Sequence, residues 1–283
     1  MWLIFVLFSL FFLAGIEIFY KLYIDRNPKI STLAGSIPAN VFMIIWALPF
    51  FLFAQAPLIQ AEIPWSLIFA TNLFYIAGVM LYYESYKVIS ASIGTILGMS
   101  SILITSSVGI FLFHESVTLS KFLGIGLIIL AIAILNLESS KPKVKGYILA
   151  FTGGMMYGIG SSIDKFMIAD YMMNVDHYNF LSALILVPMK FMIRPKSIIR
   201  EIKMIKPWSL MFAAAAGFCI IVGYKFTYTA YSLGGEVAKV DAINNLSVFV
   251  IIAAEILFLK DRSNFKKKVL CAVIAVTGVI LLR

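Results

Sequence analysis

Apolar residues run along this chain in long blocks, separated by short polar or Pro/Gly-containing breaks. A helix of roughly 20 apolar residues crosses the hydrocarbon core of a bilayer. Blocks of that size recur at 2–23, 32–54, 64–86, 91–113, 118–137, 146–168, 177–193, 208–231, 236–259 and 266–282. The pattern predicts an all-α integral membrane protein with ten transmembrane helices. The seventh block is the weakest, being short and holding Pro188 and Lys190. The opening "MWLIFVLFSLFFLAG" lacks the charged n-region and short h-region of a cleavable signal, and reads as the first span.

The blocks repeat. "PWSLIFA" (Pro64–Ala70) returns as "PWSLMFA" (Pro207–Ala213), 143 residues later. Lys21 ends the first block and Lys165 sits similarly in the sixth, an offset of 144. "FLFHES" (Phe111–Ser116) closes the fourth block and "LFLKDR" (Leu257–Arg262) the ninth, an offset of 146. Three echoes in one register indicate a duplicated five-helix unit, residues 1–140 and 146–283, joined at the polar stretch "ESSKPKVKG" (Glu138–Gly146). Five is odd, so the second copy enters the membrane from the opposite side. That is an inverted repeat, an arrangement common in secondary transporters.

Composition agrees. The chain is 61% hydrophobic and 13% charged, against about 45–50% and about 25% in soluble domains. Its net charge of +9 does not point to nucleic acid, because the basic residues sit in short loops where snorkelling and anionic headgroups account for them. Of 23 Lys and Arg, 18 lie in or beside the loops after spans 1, 3, 5, 7 and 9. The excess of positive charge marks those loops as cytoplasmic and places both termini outside. Cys219 and Cys271 lie in apolar blocks, which argues against a disulfide scaffold or a thiolate metal site. With two histidines, His114 and His177, and no metal-spaced cluster, phosphate loop or catalytic triad, neither an enzyme nor a metal or cofactor is expected.

Ionisable residues inside spans are costly, so they are the place to look for function. Glu17 and Lys21, four apart, share a helix face and are spaced to pair. In the sixth block Lys165 is placed to snorkel, which leaves Asp164 as the site candidate. The densest group lies in the second half: Lys225 in "GYKFTYTAY", followed by "EVAKVDAINN". There Ala238, Asp241 and Asn245 run down one face, with Asn244 three residues from Asp241. The turn near "SLGGE" brings Lys225 within reach of Asp241 or Glu236. The group reads either as a buried ion pair or as the lining of a polar cavity in which Lys225 faces an anionic substrate group.

In the fourth block Ala91, Gly94, Gly98, Ser101 and Thr105 form a small-residue stripe suited to close helix packing, with Ser101 able to offer its hydroxyl. Gly154 and Gly158 read the same way. Tyr82, Tyr83 and Tyr86 correspond to Tyr224, Tyr228 and Tyr231, and either line a cavity or belong to interfacial belts. Trp2, Trp65 and Trp208 are placed as interface anchors, and Glu255 lies deep enough to need a partner. The expected substrate-binding residues are Lys225, Asp241, Asn244, Asn245, Ser101, Tyr82 and Tyr228, with Asp164 and Glu17 as proton-carrying groups.

The segment "YYESYKVISASIGTILGMSSILITSSVGIFLFHESVTLSKFLGIGLIILAIAIL" (Tyr82–Leu135) resembles the EamA-type carriers of the drug/metabolite transporter superfamily. It shares their aromatic end of span three, small-residue fourth span, acidic turn and Gly-containing fifth span. "GGEVAKVDAINNLSVFVIIAAEILFLKDRS" (Gly234–Ser263) follows the same plan. The resemblance implies a metabolite exporter working by alternating access, with a lipid-linked headgroup flippase as the alternative. It implies a small-molecule substrate and the lipid bilayer as partners, a prokaryotic cell (inner) membrane, and leaves room for a homodimer. This chain departs from the family pattern in three ways. The fourth and ninth spans read "GMSSI" and "VDAINN" without the usual proline, so a kinked helix is less expected there. Asp261 replaces a usual Glu. The family is drawn with cytoplasmic termini, where the charge count places them outside.

Overall fold

A computed structural model describes residues 1–54, 63–112, 118–136, 144–257 and 265–281. Residues 55–62, 113–117, 137–143, 258–264 and 282–283, with His114 and Asp261 among them, lie outside the described residues. Among the described residues the chain is helical, without strands. The first half contributes α1 (Trp2–Arg26), α2 (Thr32–Phe53), α3 (Trp65–Ser85), α4 (Ala91–Gly98), α5 (Ser101–Phe111) and α6 (Leu119–Asn136). The second contributes α7 (Val144–Lys165), α8 (Val175–Ile193), α9 (Pro195–Ile202), α10 (Leu210–Ser232), α11 (Val237–Asn244), α12 (Ser247–Leu257) and α13 (Phe265–Leu281). A π turn, Phe166–Asp170, extends α7.

Among the described residues five helical stretches are long and apolar enough to cross a membrane: Trp2–Arg26, Thr32–Phe53, Trp65–Ser85, Ala91–Phe111 and Pro207–Ser232. Large apolar side chains such as Phe8, Phe11, Trp46 and Leu73 face outward on them, as expected where lipid is the solvent. Local signals set the starts. Ser31 accepts the Ala34 N–H to cap α2, and Asn174 accepts those of Asp176 and His177 to cap α8.

The fourth and ninth blocks are broken, although neither contains the usual proline. Each is an eight-residue helix followed by an eleven-residue one, and the two pairs begin at Ala91 and Val237, 146 residues apart. At both breaks the backbone tightens to bonds spanning three residues: Ser100 to Leu97 (3.1 Å) and Ile102 to Met99 (3.0 Å) in the first, Leu246 to Ile243 (3.0 Å) and Val248 to Asn245 (3.2 Å) in the second. Asn245 Nδ2 donates to the Asp241 carbonyl (2.8 Å), and Ser100 Oγ donates to the Phe151 carbonyl on α7 (2.6 Å). Helix α7 comes so close that a Cβ on Gly154 would lie 2.5 Å from the Gly98 carbonyl oxygen, and one on Gly158 would lie 2.6 Å from that of Ser101.

The halves pack by exchange. Helix α1 lies along α10, and α3 lies along α7, so the first and third helices of each half each grip the partner of the other. Helices α2 and α8 pair, as do α6 and α13.

One charge sits where the loop count did not place it. Lys190 is fully buried in α8, donating to Ser36 Oγ (2.8 Å) and Asn40 Oδ1 (2.5 Å) of α2.

Candidate functional site

Between the two halves lies a cavity of about 200 Å³ whose wall draws on α1, α2, α3, α4, α5, α7, α8, α10, α11 and α12. Eight tyrosines line it, from Tyr20 on α1 to Tyr231 on α10. They brace one another: Tyr20 stacks on Tyr83 with ring centroids 4.3 Å apart, and Tyr224 stacks on Tyr228 at 5.6 Å with the rings 6° from parallel. The helical period of α10 explains the second pair, since Tyr224, Thr227, Tyr228 and Tyr231 fall on one face.

Among the described residues, two carboxylates open onto the cavity. Asp241, on α11 just before the break, accepts from Ser101 Oγ (3.0 Å) and Thr105 Oγ1 (3.3 Å), which follow the break of the other half. The two broken helices therefore meet through this carboxylate. Glu17, on α1, accepts the Tyr86 hydroxyl at 2.5 Å. Asn244 also lines the cavity, accepting from Ser9 and donating to Thr227 Oγ1 at 3.4 Å.

Of the residues expected from sequence, the structure brings Asp241, Asn244, Asn245, Ser101, Tyr82, Tyr228 and Glu17 into this one wall. Asp164 stands behind it, buried in α7. Its carboxylate accepts four hydroxyls, from Tyr75, Tyr178, Thr71 (3.1 Å) and Tyr228 (2.9 Å). Tyr75 and Tyr228 also face the cavity, so two hydroxyls connect Asp164 to it.

Lys225 is elsewhere. Its ammonium lies 2.7 Å from Asp176 Oδ1, over the ring of Phe50 at 4.2 Å. The expected contact to Asp241 or Glu236 is not formed, and Glu236 instead pairs with Lys239 at 2.5 Å. The reason is helical phase: a residue next to Tyr224 points roughly 100° away from it, because 3.6 residues make a turn. The expected Glu17–Lys21 pair is also absent. Lys21 engages Asp25 (2.9 Å) and the Tyr86 carbonyl (2.7 Å) instead.

Sequence reasoning passed over Asn40, Asn72, Asn179 and Ser182, all of which line the cavity. Ser182 donates to Asn72 Oδ1 at 3.2 Å, joining α8 to α3. The available signal was an asparagine within an otherwise apolar block, since polar side chains inside spans bond across helices. No group of His, Cys, Asp or Glu that could hold a metal occurs among the described residues.

Comparison with known proteins bears on this site only through the fold. The family model described as the EamA-like transporter family matches residues 1–137 and 144–283, one match in each half. No curated protein sequence matches the chain. A solved structure, described only as a crystal structure of a protein, aligns with 98% of this chain and 97% of its own at a TM-score of 0.64 and 12% identity. That likeness is one of architecture.

Proposed function

The chain belongs to the EamA-like transporter family, and from that premise we propose that it is a secondary-active or facilitated carrier exporting a small polar metabolite. Ten spans are assigned, with α4 and α5 forming the fourth, α11 and α12 the ninth, and α9 lying outside the set. The second five-helix unit is inverted relative to the first, and rocking of one against the other opens the shared cavity alternately to each side. The membrane is a prokaryotic inner membrane, with the lysine-rich loops inside and both termini outside. Asp164 and Glu17 are the proton-carrying groups, Asp164 acting through the hydroxyls of Tyr75 and Tyr228.

The observation that carries this reading is the hydrogen bond from Ser101 to Asp241. It joins the interrupted helix of one half to that of the other at the wall of an internal cavity. Interrupted helices free backbone groups and polar side chains at mid-membrane only where they line such a site.

The test is expression of the native protein, an Asp241→Asn variant and an empty control in a bacterial host, with metabolites profiled in cells and medium. A compound that redistributes with the native protein and not with the variant establishes the carrier. If none redistributes while immunoblotting shows the protein in the membrane, the carrier reading fails, and flipping of a lipid-linked headgroup takes its place.

A further inference from the structure

We propose that the cavity selects small organic cations, molecules carrying an ammonium or similar group, held between the carboxylates of Glu17 and Asp241 and against tyrosine faces. This rests on the carrier reading above and specifies its substrate.

Charge is the first argument. Glu17 and Asp241 both open onto the cavity, whereas no lysine, arginine or histidine lines it among the described residues. Neither carboxylate has an ion-pair partner among those residues. The cations nearby in sequence are engaged elsewhere: Lys225 with Asp176, Lys239 with Glu236, and Lys21 with Asp25. Lys190 stands behind Asn40, whose Oδ1 accepts from its ammonium. A carboxylate taken out of water is costly unless an opposite charge meets it. The protein supplies hydroxyls instead, which leaves the opposite charge to a ligand.

The second argument is the kind of wall. Aromatic faces carry negative potential and attract cations, most strongly where water is excluded. The parallel pair Tyr224 and Tyr228 and the pair Tyr20 and Tyr83 belong to this wall. An anion entering here would lose its hydration and meet two carboxylates, so the same features that attract a cation reject the opposite charge. A carboxylate offers about four lone-pair sites. Glu17 accepts from the hydroxyls of Tyr86 and Tyr83, and Asp241 from three donors, counting Asn245 Nδ2 at 3.5 Å, so Glu17 retains the larger free capacity for ligand N–H groups.

The experiment uses three probes of one shape and different charge: choline, its uncharged carbon isostere 3,3-dimethyl-1-butanol, and the anion 3,3-dimethylbutanoate. Binding to the purified full chain in detergent is measured by isothermal titration. Choline is expected to bind at least about tenfold more tightly than either of the others. Glu17→Gln and Asp241→Asn are each expected to weaken choline about tenfold, with unchanged elution on size exclusion. Tyr224→Phe, which keeps the ring face, should retain binding, whereas Tyr224→Leu should lose it several-fold, so the proposal does not hang on the carboxylate variants folding. Equal affinity for the three probes, preference for the anion, or no binding by any of them overturns it. The two readings fail separately. Redistribution of an anionic metabolite in the cell test would sink the cation site and keep the carrier, whereas choline binding without any redistribution would do the reverse.

Discussion

Glu255 on α12 and Lys268 on α13 form an ion pair of 3.0 Å with side chains only 2% and 3% exposed. Glu255 also accepts the N–H (2.9 Å) and hydroxyl (2.6 Å) of Ser92, in the first turn of α4. One carboxylate thus ties the broken fourth span of the first half to the last two helices of the second.

Breaking a buried pair by removing one partner costs about 3–5 kcal/mol, because the remaining charge keeps its desolvation penalty. Glu255→Gln is therefore expected to lower the midpoint of thermal unfolding in detergent strongly. The double variant Glu255→Gln, Lys268→Met should recover part of the loss. A single variant as stable as the native protein would show that the pair does not hold the halves together.

Asp164 presents the opposite case, a carboxylate matched by four hydroxyls and by no cation among the described residues. Asparagine would turn one accepting oxygen into a donor facing hydroxyls that also donate. Hydrogen bonds to charged groups contribute about 1.5–3 kcal/mol each, so Asp164→Asn should cost roughly that much in unfolding free energy. Its effect on transport, compared between an imposed proton gradient and none, tests the coupling role.

Close approach of backbones predicts a contrast between two glycines. Gly154→Ala places a Cβ 2.5 Å from the Gly98 carbonyl oxygen and 2.7 Å from its Cα, atoms that cannot turn aside. It should destabilise by about 1–3 kcal/mol and shift the broken helix that carries Ser101. Gly126→Ala meets nothing within 4 Å and should be neutral, or stabilising by up to about 1 kcal/mol. Melting curves of the two variants decide it.

Outside the spans, Glu201 on α9 fixes that helix to the start of α2. Burial favours its neutral acid, but hydrogen bonds from the Ser31 N–H (2.7 Å) and the Ser197 hydroxyl (2.7 Å) outweigh this and hold the carboxyl below its usual 4.5. A group lowered on folding contributes stability above its unfolded pKa and loses it as pH falls through the folded value. The difference in melting temperature between native protein and Glu201→Gln should accordingly be present at pH 7 and shrink below about pH 4.5. A difference unchanged by pH would mean that the anchor does not depend on the charge.

Lys225 tests the site by exclusion. Its ammonium is held by Asp176 and Phe50, so Lys225→Met should change choline affinity by less than about threefold. A larger change would place Lys225 in the cavity's field after all.

The helices were legible because lipid imposes a plain rule, a long apolar run for each crossing. Block 32–54 is the helix Thr32–Phe53, and block 118–137 is Leu119–Asn136. Much of the cavity wall was legible for the same reason, since Asp241, Asn244, Asn245 and Ser101 stand out against apolar neighbours. Asn40 and Asn72 gave a fainter signal of the same kind and went unnoticed.

The partners of charges were not legible. Glu17 and Lys21 have ideal spacing, yet each bonds to Tyr86, 69 and 65 residues away respectively. Local spacing says which side chains share a face, whereas the orientation of a neighbouring helix says what that face meets. The breaks at Met99 and Asn245 belong to the same class. Apolar periodicity and the duplicated register thus follow from the chain alone, because they depend on residues close in sequence and on the solvent. Where Lys225 points, which carboxylates remain without a cation, and where two helices interrupt are settled by packing between the halves, which brings Gly154 against Gly98 and Ser101 against Asp241.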